Sequence, residues 1–290
     1  MENIIYFNQN ILKLVRGEQT KDGYIVDLYQ EIILPSQNIY SDEYAREVVK
    51  HLKNITLLNA TLVLDSHGAL WKVGKIPVVK SLRMARELVI KELQEMVDPH
   101  VEYVYDFRLL KKQEKTGMRV LMFAMDKKIV ERFIDIFNQA QVNIDRIDIS
   151  LNCLVSVYEH CFRHDYPLIG IIDIQKQQIN TLLYVDGKFS YYGQDTLPEY
   201  EDSEQLRTTL VNKVSQLIQF QRSHFRDQTL KDVVISGIRQ ENLDDLKNTL
   251  KHLFHIQLLN FNDDQFVKYK RINTETVQGI VNIGALKERK

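Results

Sequence analysis

Glycine is scarce in this chain, at 11 of 290 residues. Loops that cradle phosphate with main-chain N–H groups need glycine where the chain comes very close to its ligand, so the scarcity argues against a working nucleotide site. Cysteine is scarcer still. Cys153 and Cys161 are too few for a disulfide framework, which fits a reducing compartment. No apolar run approaches the roughly 20 residues that cross a bilayer. The opening Met1-Glu2-Asn3-Ile4-Ile5-Tyr6 has neither the basic start nor the small-residue cleavage site of a signal peptide. A cytoplasmic protein is the expectation. An excess of one charge is also missing: 38 Lys and Arg against 39 Asp and Glu leave a formal net charge of -1, and with it no global electrostatic case for nucleic acid. What remains is ordinary globular composition, 44% hydrophobic and 27% charged, at a length that predicts two domains or one bilobed body.

The first segment reads as strands. Ile4 to Phe7, Ile11 to Val15 and Tyr24 to Leu34 are apolar and β-rich, broken at Asn8-Gln9-Asn10 and from Gly17 to Gly23. Ser41 and Asp42 form an N-cap signal for a helix to about Lys53, and Thr61 to Leu64 is a short buried strand. A self-contained block follows. Ser81 to Val97 carries a helical stripe of Met84, Leu88, Val89, Leu93 and Met96. Val101 to Leu110 and Met118 to Ala124 read as paired strands, Asp126 caps a second helix with Val130, Phe133 and Phe137 on one face, and Val142 to Ile149 is a third strand. The order α-β-β-α-β predicts a small three-stranded sheet covered by two helices.

A helix from about Ser150 to Arg163 leads to Pro167, the expected boundary between lobes. The second half opens with strands at Leu168 to Ile174, Ile179 to Val185 and Lys188 to Thr196, the last two joined by the two-residue turn Asp186-Gly187. A long helix from about Asp202 to Phe225, a strand at Asp232 to Ser236, a helix at Leu243 to Leu253, a strand at Ile256 to Leu259 and a last helix from about Thr274 complete the pattern.

Several polar groupings have plain structural readings. Asp65-Ser66-His67 contains the residue types of a catalytic triad, but adjacent residues cannot converge as a triad must, so a turn is expected. His160 and His164 stand four apart beside Cys161; structural metal sites want four ligands, and a core cysteine beside surface histidines is the expectation. Lys111, Lys112 and Lys115 read as a solvated hairpin tip, and Lys268, Lys270, Arg271 and the terminal Lys287-Glu288-Arg289-Lys290 read the same way.

The order of elements resembles the actin-like ATPase superfamily, and within it the PilM family of type IV pilus assembly proteins, with the cell-division protein FtsA as a more distant relative. The resemblance covers nearly the whole chain. It is carried by Val101-Glu102-Tyr103-Val104-Tyr105-Asp106-Phe107, by Ala124-Met125-Asp126-Lys127-Lys128-Ile129-Val130, by Ala140-Gln141-Val142-Asn143-Ile144-Asp145-Arg146-Ile147-Asp148 and by Gln221-Arg222-Ser223. It implies an α/β, bilobed, actin-like (ribonuclease H-like) ATPase fold. Residues 1–166 would be the first lobe, with an α-β-β-α-β insert subdomain at about 76–149; 167–273 would be the second lobe, and 274–290 a C-terminal helix packing back on the first.

In that family ATP and Mg²⁺ bind between loops that carry Asp-Ile-Gly-Ser in the first hairpin. Here the matching positions read Tyr6-Phe7-Asn8-Gln9, so the acid and the glycine are both absent. Lys13 matches the lysine of the returning strand, the second hairpin keeps Asp173 but has Gln175 where glycine is usual, and the adenosine loop reads Ser236-Gly237-Ile238. A glutamate facing the base aligns with Gln219. Asn8, Lys13, Asp173, Gln175, Ser236 and Gly237 are therefore the positions of a degenerate nucleotide cleft, in which Asn8 could still adopt a left-handed turn. No metal site and no catalytic residue is expected, and a pseudo-ATPase is favoured over an enzyme.

The resemblance also implies a role as a cytoplasmic adaptor. In the family, a groove between the first lobe and its insert holds a short amino-terminal peptide of an inner-membrane partner, PilN, through apolar pockets and backbone pairing. Membrane contact would then be indirect, with no nucleic-acid partner and with self-association open. Two alternatives stand beside this: an active ATP-binding switch of the same fold, and an FtsA-like scaffold. The end Gly284-Ala285-Leu286-Lys287-Glu288-Arg289-Lys290 has little apolar surface for the amphipathic anchor of the latter.

Overall fold

The computed structural model describes all residues except 9, 37, 56, 115–116, 163–165, 167, 176–177, 198–202, 263–264, 271, 273–279 and 288–290, together with the side chains of 111–114, 203 and 240–241. The described residues gather into two compact units, one of 3–14 and 30–152 and the other of 1–2, 15–29 and 153–290.

In the 3–152 unit, β1 (Glu2–Asn8) is apolar and buried from Ile4 to Phe7, as a strand in the middle of a sheet must be. It pairs in parallel with β4 (Asn59–Leu64), Ile5 opposite Leu62. On the other side of β4 lies β8 (Asn143–Ile149), also parallel, which ends the sheet there. Two capped helices cover this sheet. The Ser41 hydroxyl accepts from the Tyr44 amide to start α1 (Asp42–Asn54). The Asp126 carboxylate accepts from the Lys128 amide to start α3 (Lys127–Ala140), which ends on Gln141 at φ 59°. Phe133 of α3 reaches Phe7 of β1 with ring centroids 4.7 Å apart, and Tyr44 of α1 at 6.5 Å.

The insert is built differently from the sequence expectation. Its three-stranded sheet runs β5-β7-β6, where β5 is Ala69–Ile76, β6 Tyr103–Glu114 and β7 Gly117–Asp126. The third strand is thus β5, while Val142–Ile149 belongs to the larger sheet. β5 escapes a pattern search because Lys72, Gly74 and Lys75 break its alternation; the end of the Met122 side chain packs against the strand at Gly74. α2 (Leu82–Gln94) covers one face of the small sheet, burying Ala85, Val89 and Leu93 on Val120, Met122 and Ala124, and α3 also touches β6 and β7. The tip lysines Lys111, Lys112 and Lys115 lie outside the described side chains.

In the 153–290 unit, a five-stranded sheet runs β11-β10-β9-β12-β13. Its strands are β9 (Leu168–Gln175), β10 (Gln178–Val185), β11 (Lys188–Thr196), β12 (Asp232–Ser236) and β13 (Gln257–Asn260). Asp186 at φ 51° and Gly187 at φ 68° form the expected tight turn between β10 and β11. Leu210, Val214 and Leu217 of α5 (Ser203–His224) and Leu243, Leu246 and Leu250 of α6 (Gln240–Phe254) bury one face of this sheet.

β2 (Ile11–Thr20) and β3 (Gly23–Ile33) run through the stretch that the sequence marks as a break. Gly17 is the reason: a side chain there would collide with the Ile25 carbonyl, so a residue that looks like a stop permits a close strand contact. β14 (Val267–Tyr269) pairs in parallel with β3, which corrects the reading of Lys268 as loop. α4 (Ser150–Val157) passes into a π-helical turn at Tyr158–Phe162, and a short α7 (Val281–Gly284) follows late in the chain. Pro167, His164, Arg271, Val277 and residues 288–290 lie outside the described residues. Among the described residues, no helix is long and apolar enough to cross a membrane.

Candidate functional site

The nucleotide-loop positions divide between the units. Asn8 ends β1 in extended backbone, not in the left-handed turn the sequence allows it. It is buried, as is Tyr6 two residues before it. Lys13 of β2 is fully buried, with Nζ 3.7 Å from Glu31 Oε2 on β3.

Asp173, Gln175 and Ser236 converge in the other unit. The fully buried Asp173 carboxylate accepts four hydrogen bonds. Ser236 Oγ donates to Oδ1 at 2.7 Å and the Ile280 amide to the same oxygen at 2.6 Å. Gln175 Nε2 donates to Oδ2 at 2.8 Å and Asn180 Nδ2 at 3.3 Å. Tyr192 in turn donates its hydroxyl to Asn180 Oδ1 at 3.0 Å. The Gln175 side chain at the end of β9 therefore folds back on the acid beside it. Gly237 follows Ser236 at φ 76°, and Ile238 then lines a cavity of about 210 Å³ with Leu206, Arg207, Asn242 and Asp245. Gln219 is an exposed residue of α5 whose carboxamide donates to Ser215 Oγ at 3.4 Å.

Sequence reasoning missed Asn180 and Ile280. Asn180 was accessible, because the hairpin register places it directly opposite Asp173. Ile280 was not. It arrives from 107 residues away, where the close approach of Gly284 to the Cys153 carbonyl fixes α7 against α4. Among the described residues, no cluster of three or more His, Cys, Asp or Glu side chains could hold an ion. His160 contacts the Gly23 carbonyl at 3.1 Å and packs edge-on against Tyr24, and Cys161 is half-buried, its thiol pushed up to about 12 by desolvation.

A second site lies wholly within the 3–152 unit. A cavity of about 140 Å³ opens between β6 and β8. Phe123 and Met125 of β7 and Val130 of α3 give it an apolar lining, and Asp106 and Arg108 of β6 with Asp148 of β8 give it polar walls. One wall is bridged. Arg108 Nη1 donates to Asn152 Oδ1 at 2.9 Å, Asn152 Nδ2 donates to Asp148 Oδ1 at 2.6 Å, and Arg146 Nε lies 3.8 Å from Asp148 Oδ2. Asp106 pairs with Arg86 of α2 at 3.3 Å, an ion pair whose members are 71% and 53% exposed. The apolar lining was legible as helix and strand stripe; the Arg108–Asn152 bridge was not, since it joins residues 44 apart in elements with no shared pattern.

No family model matches the chain, and no curated protein does. Solved structures do. A chain of a PilM–PilN type IV pilus biogenesis complex aligns with a TM-score of 0.71 at 16% identity, over 98% of this chain and 96% of that one. A Bacteroides thetaiotaomicron protein with an actin-like ATPase fold and unknown function aligns at 0.50 and 14% identity, over 90% of each chain. The fold is thus the actin-like ATPase fold in its PilM-like form.

Proposed function

We propose that this chain is a non-enzymatic adaptor of a type IV pilus or related secretion assembly. It works in the cytoplasm and reaches the inner membrane by binding a short amino-terminal segment of a PilN-like protein. The observation that carries the reading is the cavity between β6 and β8: an apolar recess with polar walls, within a fold whose PilM-like form extends over nearly the full chain. Nothing in such a role requires a bond to be made or broken.

The degenerate nucleotide loops support the same reading. The residues present do not suit Mg-ATP. Asp173 already accepts four hydrogen bonds from its own unit, Gln175 fills the turn where phosphate would approach, and the buried Tyr6 replaces an acid. A carboxylate so engaged would have to surrender those partners to hold a hydrated ion.

The test is a titration of the full chain with a peptide of about a dozen residues from the amino terminus of the PilN-like protein of the same genome. Micromolar binding is expected, about -8 kcal/mol, because ordering a flexible peptide offsets much of the contact energy. Absence of binding at high micromolar peptide, with the chain pelleting on partner-free lipid vesicles, overturns the adaptor reading in favour of direct membrane attachment.

A further inference from the structure

The tip of the insert carries charge of one sign. At the end of the small sheet where β6 passes into β7, Met118 and Val120 pack with α2. Side chains along a strand alternate between faces, so Arg119 between them belongs to the opposite face. In the register, Arg119 has Lys75 of β5 beside it on one strand and Lys111 of β6 on the other. Three basic residues thus form a row across three strands. Like charges at opposed positions repel, and a surface of the other sign relieves that repulsion.

The row is part of a larger asymmetry. The two stretches that meet at this end, 75–83 and 109–119, hold seven lysines and arginines and one acid, Glu114. They carry +6, so the rest of a chain of net charge -1 carries -7. Apolar groups are exposed among these charges. The chain leaving β5 at Ile76 carries Val78, 53% exposed, and Leu82 at the start of α2, 68% exposed. Lys80 between them and Arg83 beyond are exposed as well. Neither stretch holds a Phe, Tyr or Trp, so the stacking platform of a single-stranded nucleic-acid site is missing. Bare aliphatic groups among cations match an anionic bilayer. Its headgroups attract Lys and Arg, and its boundary with the acyl chains accepts aliphatic side chains.

We propose that the insert tip touches the membrane directly: Lys75, Lys80, Arg83 and Arg119 meet anionic lipid headgroups, and Val78 and Leu82 enter the interface between them. The proposal rests on the adaptor reading for the chain's place at the inner membrane, and on the tip alone for the lipid contact. The peptide supplies the tether, and the tip sets which way the tethered chain faces. Its +6 end is drawn to the leaflet while the -7 remainder is pushed away.

The experiment is co-sedimentation of the full chain with partner-free vesicles, either phosphatidylcholine alone or phosphatidylcholine mixed with phosphatidylglycerol. Binding is expected on the mixed vesicles at low salt and little on the neutral ones. Lys80→Gln with Arg83→Gln is expected to weaken it about 25-fold, about fivefold for each charge removed. Lys50→Gln with Lys53→Gln removes two exposed charges from α1 instead and is expected to leave it unchanged. Val78→Ser with Leu82→Ser is expected to abolish the binding that survives high salt, which screens charges but not apolar contact. These positions are exposed, so each variant should fold and still bind the amino-terminal peptide of the PilN-like protein. Equal binding to both kinds of vesicle, no sedimentation at low salt, or an unchanged Lys80 and Arg83 variant overturns the lipid contact, and peptide binding in the same samples leaves the adaptor reading standing. Retention on polyglutamate by a chain that ignores vesicles overturns it too, and assigns the tip to an acidic protein. A chain that sediments but does not bind the peptide overturns the adaptor reading and keeps the tip as the membrane attachment.

Discussion

The cluster around Asp173 and the cavity beside β6 are both places where side chains of different elements meet, yet they face opposite ways. At Asp173 four donors turn inward to one carboxylate: Gln175, Asn180, Ser236 and the Ile280 amide. At the cavity the polar groups stand at the rim, the lining is apolar, and Asp106 meets solvent. A buried charge whose hydrogen bonds come from its own fold stabilises that fold. An apolar recess with a polar rim is the common form of a binding site. The comparison teaches that a cluster of polar side chains can be closed on itself while an apolar recess with a polar rim stays open.

The sharpest way to break this comparison is Asp173→Ala. It leaves several buried donors without an acceptor, at about 1–3 kcal/mol each where they cannot relax, so a loss of at least about 3 kcal/mol is expected in urea denaturation. Unchanged or increased stability would mean that the carboxylate is held in reserve for a ligand, as strained functional groups are. The opposite profile is expected on the rim. Val104→Arg changes an exposed position, so stability should stay within about 0.5 kcal/mol while peptide affinity falls about tenfold. A variant that binds normally would move the docking site away from β6.

Gln175→Gly sharpens the comparison at intermediate cost. It restores the residue type usual in phosphate turns but removes a 2.8 Å hydrogen bond to Asp173, so a loss of about 1–2 kcal/mol is expected. Millimolar Mg-ATP should raise the melting temperature of neither the native chain nor this variant, because Ser236, Asn180 and Ile280 still hold the carboxylate. A ligand at 100 times its dissociation constant stabilises by about 2.7 kcal/mol, which a thermal shift resolves easily. A saturable shift in the variant alone would identify Gln175 as the single block.

What the sequence made legible follows from how local each signal is. Asp186-Gly187 fixed its own turn by left-handed backbone, and the α5 stripe of Leu210, Val214 and Leu217 declared its buried face. That Gln175 is not a glycine was readable, but its partner was not, because the bond to Asp173 depends on how the two side chains fold together at the end of β9. Longer-range facts were hidden for the same reason. β8 reads as a third insert strand until β4 is seen beside it, β5 carries no clean alternation, and Gly17 looks like a break until the Ile25 carbonyl is placed against it. The cavity depends on which strands end their sheets, a property of topology that no single segment encodes.

The smallest expected effect tests how far the Asp173 cluster extends. Gln178 is buried next to it and donates Nε2 to Asn180 Oδ1 at 3.3 Å, a long bond to an oxygen that Tyr192 already serves at 3.0 Å. Its own Oε1 is buried with no hydrogen-bond partner among the described residues. Gln178→Met removes one weak donor and one unsatisfied acceptor together while keeping the length of the side chain. The two changes oppose each other, since a buried carbonyl without a partner is costly and a shared long bond contributes little. Stability within about 1 kcal/mol of the native chain is therefore expected in urea denaturation. A loss beyond about 2 kcal/mol would show that the hydrogen bonds from Tyr192 through Asn180 to Asp173 strengthen one another as a connected network. The closed cluster would then extend past the carboxylate to the whole β9–β10–β11 face, and the contrast with the cavity at β6 would be one between a rigid sheet and an open edge.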